Sequence, residues 1–150
     1  MRTVEQYMTL APTAVAPDRS ILEARELMRE LGVHHLPVLA GKRLVGLVTE
    51  DDLHAFEDAP ELQRHRLRVE SVMVPMPCAV AHDAPLAMVA REMLTFRSSA
   101  AVVMNDADVV GVFTVTDALR ALADVLEGST PTGRLMPARR RGAGSPEVAP

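Results

Sequence analysis

GLVTEDDL, residues 46–53, decides the reading of this chain, because it returns as GVFTVTDA at residues 111–118. Each copy has a glycine, two apolar residues, then Thr and, three positions on, Asp: Gly46, Thr49 and Asp52, then Gly111, Thr114 and Asp117. The pattern predicts the end of a buried strand running straight into a helix. T-x-x-D at a helix start is close to a capping box, in which the hydroxyl takes a free N–H and the carboxylate reaches back to the Thr N–H.

Working outward, the chain matches itself without a gap at an offset of 65 residues. Val4, Glu5 and Met8 meet Val69, Glu70 and Met73; Pro12, Ala14, Val15, Ala16 and Asp18 meet Pro77, Ala79, Val80, Ala81 and Asp83. Met28, Val38 and Val45 meet Met93, Val103 and Val110, and with the Gly, Thr and Asp pairs this makes 14 identities over positions 4–53. A repeat of this period is the first thing a fold must explain.

Each copy reads β-α-β-β-α, giving a mixed α/β fold of two repeats. In the first, Thr13–Ala16 is a short strand. Asp18 and Ser20 offer caps to a helix reaching Leu31, with Ile21, Ala24, Met28 and Leu31 on one face at helical spacing. Gly32 closes it. HHLPVL and RLVGLV form a hairpin around Gly41-Lys42, and TEDDLHAF opens the last helix. The second copy has strands 78–81, 99–104 and 108–113, and helices from about Pro85 and about Thr116. The boundaries are therefore repeat 1 at 1–56, a connector at 57–68, repeat 2 at 69–127 and a disordered Arg/Pro/Gly tail at 128–150. About 60 residues bury too little surface to stand alone, so the halves are expected to pack with approximate two-fold symmetry.

Composition limits the function classes. Apolar residues are 48% of the 150 and aromatics 3%, so aliphatic residues and nine methionines fill the core. The methionines at 73, 76, 88, 93 and 104 are expected there. A single cysteine, Cys78, excludes an internal disulfide, and it is expected as a small core-lining residue. No apolar h-region opens the chain, and no run approaches the ~18–20 residues of a membrane span, so a soluble, cytoplasmic protein is expected. Residues 128–150 carry four arginines against Glu147, a net +3, which leaves −7 on the remainder. An acidic body does not suit general nucleic-acid binding, and the RRR run reads as a solvated tail.

The pieces VEQYMT and VESVMV, then GVHHLPVL, then GLVTEDDL and GVFTVTDAL, resemble a tandem pair of CBS domains, also called a Bateman module, over residues 4 to about 126. The resemblance implies a pair with no catalytic domain attached, holding AMP, ADP or ATP, or with less support S-adenosylmethionine or NAD, in clefts between the halves. It also implies roles residue by residue. Asp52 and Asp117 would take ribose hydroxyls, and Thr49 and Thr114 phosphate. Thr13, Ala14, Val15, Leu36 and Pro37, and in the other half Cys78, Ala79, Val80, Ala101 and Val102, would line adenine slots. The chemistry fits, since a carboxylate accepts two bonds from adjacent hydroxyls, a helix N-terminus suits phosphate and a flat base asks for an apolar slot.

The chain also departs from the family pattern. SSAAVVM replaces HHLPVL in the second copy, without its proline. Cations near the expected phosphates are few. Asp51 adds negative charge beside Asp52, so the second set, with Thr114, Asp117 and Arg120, is the preferred one on charge. His34 and His35 read as packing or rim residues, and the sequence places no Cys or carboxylate at metal-ligand spacing from them, so no metal is expected. The function expected is adenine-nucleotide sensing that regulates a partner protein, with no enzyme activity: no P-loop, nucleophile elbow or metal cluster appears. The alternative is an interaction module without a physiological ligand. Homodimerisation through the helices is implied by resemblance.

Overall fold

The computed structural model describes residues 1–11, 13–135 and 147–148. Val4–Gln6 is a 3₁₀ turn, followed by β1 (Thr9–Leu10), β2 (Thr13–Ala14), α1 (Ile21–Leu31), β3 (His35–Ala40), β4 (Arg43–Thr49) and α2 (Glu50–His54). Then come α3 (Glu61–Arg66), α4 (Val69–Val72), β5 (Val74–Pro75), β6 (Ala79–Ala81), α5 (Leu86–Thr95), β7 (Ala100–Asn105), β8 (Asp108–Thr114), α6 (Val115–Glu127) and β9 (Glu147–Val148). The β-α-β-β-α order occurs twice, as the repeat predicts. The connector is not wholly irregular, because Glu61–Arg66 forms an exposed helix behind Pro60.

These elements gather into two compact units. The Asp52 unit holds residues 13–77 and the strand Glu147–Val148; the Asp117 unit holds residues 1–11 and 78–135. Each unit therefore takes its opening segment from the other repeat. In the Asp117 unit, β1 lies antiparallel on β8, with Thr9 opposite Val112 and Leu10 opposite Gly111. In the Asp52 unit, β5 does the same on β4, with Val74 opposite Leu47 and Pro75 opposite Gly46. The bridges Thr3 to Pro85 and Arg68 to Ser20 repeat the exchange at the same offset.

Sterics explain the repeated glycine. A Cβ on Gly111 would lie 2.8 Å from the Thr9 carbonyl oxygen and 2.6 Å from the Met8 sulfur. One on Gly46 would press on the Met73 side chain and lie 3.0 Å from the Val74 carbonyl oxygen. Only glycine lets the exchanged strand approach this closely.

Inside the Asp117 unit the sheet runs β1-β8-β7-β6, with β6 parallel to β7. Its core holds Val4, Tyr7, Met8, Val80, Val89, Met93, Val103 and Phe113. Inside the Asp52 unit β3, β4 and β5 are antiparallel neighbours. Val15 bridges β2 to β3, donating to the Pro37 carbonyl and accepting from Leu39 N–H, both at 3.0 Å. β9 pairs parallel with β2, Thr13 opposite Glu147. Ile21, Ala24, Met28 and Leu31 are all buried, as their spacing predicts. Ser20 caps α1 by accepting the Glu23 N–H at 3.1 Å, and Gly32 ends it in the left-handed region.

Two expectations are revised. Of the five methionines assigned to the core, Met93 is buried and Met73 packs half-buried against the core of the Asp52 unit; Met104 is half-buried at the end of β7, Met76 is 91% exposed just after β5, and Met88 faces out from α5. The tail expectation divides. Residues 128–135 are fastened to the Asp117 unit by main-chain bonds between Leu135 and both Met8 and Leu10. Residues 136–146 and 149–150, with Arg139, Arg140 and Arg141, lie outside the described residues.

Candidate functional site

Both T-x-x-D stretches build the capping box that their spacing allows. Thr49 N–H donates to Asp52 Oδ2 at 2.9 Å, and Asp52 N–H donates to Thr49 Oγ1 at 3.1 Å. Thr114 N–H donates to Asp117 Oδ2 at 2.9 Å, and Asp117 N–H donates to Thr114 Oγ1 at 3.3 Å. The strand-to-helix junction leaves these N–H groups without a backbone partner, and the two side chains satisfy them.

Beyond the cap the two copies differ. In the Asp52 unit, Thr49 and Asp52 are half-buried, and among the described residues the Asp52 carboxylate takes only the Thr49 N–H. β2 and β3 bring Thr13, Ala14 and Val15 beside Leu36 and Pro37, all buried. Thr13 Oγ1 is buried with no hydrogen-bond partner among the described residues. Glu50 opens α2, where Arg25 donates to it at 2.5 Å and His34 Nδ1 contacts its other oxygen. The Arg25 guanidinium, and then the His34 ring, hold the Glu50 carboxyl below the usual carboxylate range. His34 is otherwise exposed, and His35 begins β3 opposite Thr49.

In the Asp117 unit the carboxylate is 1% exposed. Thr114 Oγ1 donates to it at 3.1 Å, Thr9 Oγ1 lies 3.3 Å from both its oxygens, and Arg120 Nη2 donates at 3.2 Å. Arg120 also donates to the Tyr7 carbonyl at 2.8 Å, and to Thr132 Oγ1 and the Gly133 carbonyl at 3.0 Å each. Its guanidinium carbon lies 5.9 Å from the Tyr7 ring centre. A second buried carboxylate, Asp124, accepts from the Tyr7 hydroxyl at 3.0 Å and from Thr132 N–H at 2.8 Å, while Arg2 bonds the Tyr7 oxygen. Burial works to raise the Asp124 carboxyl, but the Thr132 and Tyr7 bonds outweigh it and hold it below its ordinary value. Burial raises the Tyr7 phenol, and the Asp124 bond adds to it.

The second slot set is also assembled by strand pairing. Ala79 lies opposite Val102, and the Cys78 carbonyl accepts the Val102 N–H at 2.8 Å. Cys78, Val80, Ala101 and Val102 are buried, whereas Ala79 is exposed. Burial, and then Glu92, raises the Cys78 thiol, so the thiolate is disfavoured.

Sequence reasoning missed Arg2, Tyr7, Thr9, Asp124 and Thr132. A signal was present for four of them. At the repeat offset Arg2, Tyr7, Thr9 and Asp124 meet Leu67, Val72, Val74 and Ala59, and Arg120 meets Ala55. Polar residues that the other copy replaces with apolar ones mark where the symmetry is broken. Among the described residues, no group of three or more His, Cys, Asp or Glu converges as a metal site. No described helix is long and apolar enough to cross a membrane.

Comparison with known proteins bears on this geometry. The CBS domain model matches residues 4–57 and again 69–124. The crystal structure of CBSX2 in complex with AMP superposes with a TM-score of 0.68 at 30% identity, covering 84% of this chain and 99% of that one. CBSX2 from Arabidopsis thaliana gives 0.67 at 30% identity, covering 83% of this chain and 96% of that one. The CBS domain pair of protein MJ0100, in complex with 5′-methylthioadenosine and S-adenosyl-L-methionine, gives 0.69 at 25% identity, covering 81% and 99%. Among curated proteins, inosine-5′-monophosphate dehydrogenase of Korarchaeum cryptofilum is 29% identical over 118 residues, 78% of this chain. The chain spans 24% of that protein's length, and 46% of the next relative, protein MJ0188 of Methanocaldococcus jannaschii.

Proposed function

The chain belongs to the CBS domain family, as a tandem pair, and on that premise we propose that it is a regulatory module that binds an adenosine-containing ligand and carries out no catalysis. AMP is the first candidate, since CBSX2, at 30% identity, is described in complex with it. ADP, ATP and S-adenosylmethionine follow.

The observation that carries this reading is the state of Asp52. It is fixed at the start of α2 by the Thr49 N–H and is still half-buried rather than enclosed, so its second oxygen can accept from a ribose diol. The buried Thr13 hydroxyl, without a hydrogen-bond partner among the described residues, supports the same half, because an unsatisfied buried polar group costs about 1–3 kcal/mol that a ligand's polar edge recovers. The counterpart of Thr13 in the other half is Cys78, which has no hydroxyl. This reverses the preference that charge alone gives to the Asp117 half. Binding would shift an equilibrium that a partner protein reads, to the extent that the ligand favours one state.

The test is a thermal-shift titration with AMP, ADP, ATP and S-adenosylmethionine. A ligand at 100 times its dissociation constant adds about 2.7 kcal/mol of stability. The shift is expected with at least one ligand and is lost in Asp52→Asn. No shift with any of them, in protein shown to be ligand-free, rejects the reading.

A second reading, an interaction module, has one observation in its favour. Val115, Leu119, Leu122 and Leu126 recur at helical spacing on α6 and are each at least half exposed. An apolar stripe of this kind suits a helix-mediated homodimer, and dimerisation is compatible with ligand binding.

A further inference from the structure

We infer that residues 129–135 are a strap that closes the Asp117 half against ligand, so that the pair takes one adenosine-containing ligand per chain, at Asp52. The stoichiometry rests on the proposed function; the strap does not.

The strap is fastened at four points, all inside the Asp117 unit. The Ser129 carbonyl accepts from Arg2. Thr132 N–H donates to the buried Asp124 carboxylate at 2.8 Å. Thr132 Oγ1 and the Gly133 carbonyl both receive Arg120 Nη1 at 3.0 Å. Leu135 lies along β1, accepting from Leu10 N–H at 2.9 Å and donating to the Met8 carbonyl at 3.1 Å.

This arrangement uses up the groups that a nucleotide would need. Arg120, the cation proposed for the phosphate side, spends its terminal nitrogens on the strap, the Tyr7 carbonyl and Asp117. Asp117, proposed for ribose, is 1% exposed and surrounded by Thr9, Thr114 and Arg120. A ribose diol would have to displace Thr9 and Arg120 from the buried Asp117 carboxylate, breaking the bonds that both half-buried side chains give it. Among the described residues the side chains that hold the strap have no polar counterparts in the Asp52 half, where the late strand β9 instead pairs with β2 at Thr13 and Ala14. Ala55 stands for Arg120, Ala59 for Asp124, Val72 for Tyr7, Val74 for Thr9 and Leu67 for Arg2. The same T-x-x-D cap is thus a closed structural joint in one half and an open carboxylate in the other.

Two measurements test this. The first needs no ligand: amide hydrogen exchange of Thr132 and Leu135 in the full chain. Both amides are expected to exchange at least 100-fold more slowly than open chain, and Leu135 protection is expected to collapse in Thr132→Pro, which removes the N–H given to Asp124 along with the hydroxyl. Open-chain rates in the wild type overturn the strap. The second is a calorimetric titration with AMP. One AMP per chain is expected, lost in Asp52→Asn, whose side-chain oxygen can still cap α2 and whose melting temperature checks that it folds. Two AMP per chain, or one that survives Asp52→Asn, overturns the single site. No bound AMP with slow amides rejects AMP as the ligand and upholds the strap.

Discussion

The hydroxyl of Tyr7 donates to the carboxylate of Asp124 across 117 residues of sequence, at 3.0 Å, in the interior of the Asp117 unit. Tyr7 is fully buried, and the same carboxylate takes the Thr132 N–H. Tyr7→Phe keeps the ring packing and deletes the donor. It is expected to lower stability by about 1–3 kcal/mol, the range for leaving a buried acceptor short of a partner, read as a reduced urea midpoint with an unchanged slope. An unchanged midpoint would mean that the pair does not form.

The same carboxylate sets an acid limb. Its folded value is depressed, because the Thr132 and Tyr7 bonds outweigh burial. A depressed carboxyl contributes stability above its unfolded value, and that contribution is lost as pH falls through the folded value. The urea midpoint should therefore fall below about pH 4, the ordinary range for aspartate. Asp124→Asn should be less stable at neutral pH and show a shallower fall. An equally steep acid limb in the variant would assign the effect to other groups.

His82 should give the opposite sign. Its Nδ1 lies 2.8 Å from Glu5 Oε2, and that bond, against a smaller burial effect, raises its value above the ordinary histidine range. A raised histidine contributes stability below its unfolded value of about 6.5, lost as pH rises through the higher folded value. NMR titration should find His82 above 6.5 in the wild type and lower in Glu5→Gln. A value that does not move would separate the two residues in solution.

The two repeated glycines should differ in tolerance. Gly111→Ala meets the Thr9 carbonyl oxygen at 2.8 Å, and backbone cannot swing aside. Gly46→Ala chiefly meets the Met73 side chain, which can. Overpacking costs about 1–3 kcal/mol, and Gly111→Ala should fall at the upper end of that range. Equal losses in the two variants, measured by urea denaturation, would contradict the role given to the exchanged strand.

Leu122→Glu on α6 tests the exposed stripe. Leu122 is 52% exposed, so the folded chain should tolerate the charge. The expected outcome is a wild-type dimer in light scattering and a monomer in the variant, with an unchanged melting midpoint at low concentration. A monomeric wild type removes the interaction reading of that face.

The sequence by itself determined the repeat, the two β-α-β-β-α units and the T-x-x-D caps. These are local: a helix face repeats every three to four residues, and a cap binds a donor two or three positions away. Ser20, Gly32, Thr49 and Thr114 were all legible for that reason. The slot residues were legible only through family resemblance, since nothing periodic marks Thr13 or Val102. Tertiary structure alone decided that β1 and β5 cross to the other repeat's sheet, that Leu135 is fastened beside β1, and that Asp117 is enclosed while Asp52 is not. Those outcomes turn on bonds such as Thr9 to Asp117 and Tyr7 to Asp124, between residues more than 100 positions apart. Hydrogen bonds of that kind leave no spacing in the chain to read. Their one trace is the broken symmetry of Arg2, Tyr7, Thr9, Arg120 and Asp124 against five apolar counterparts.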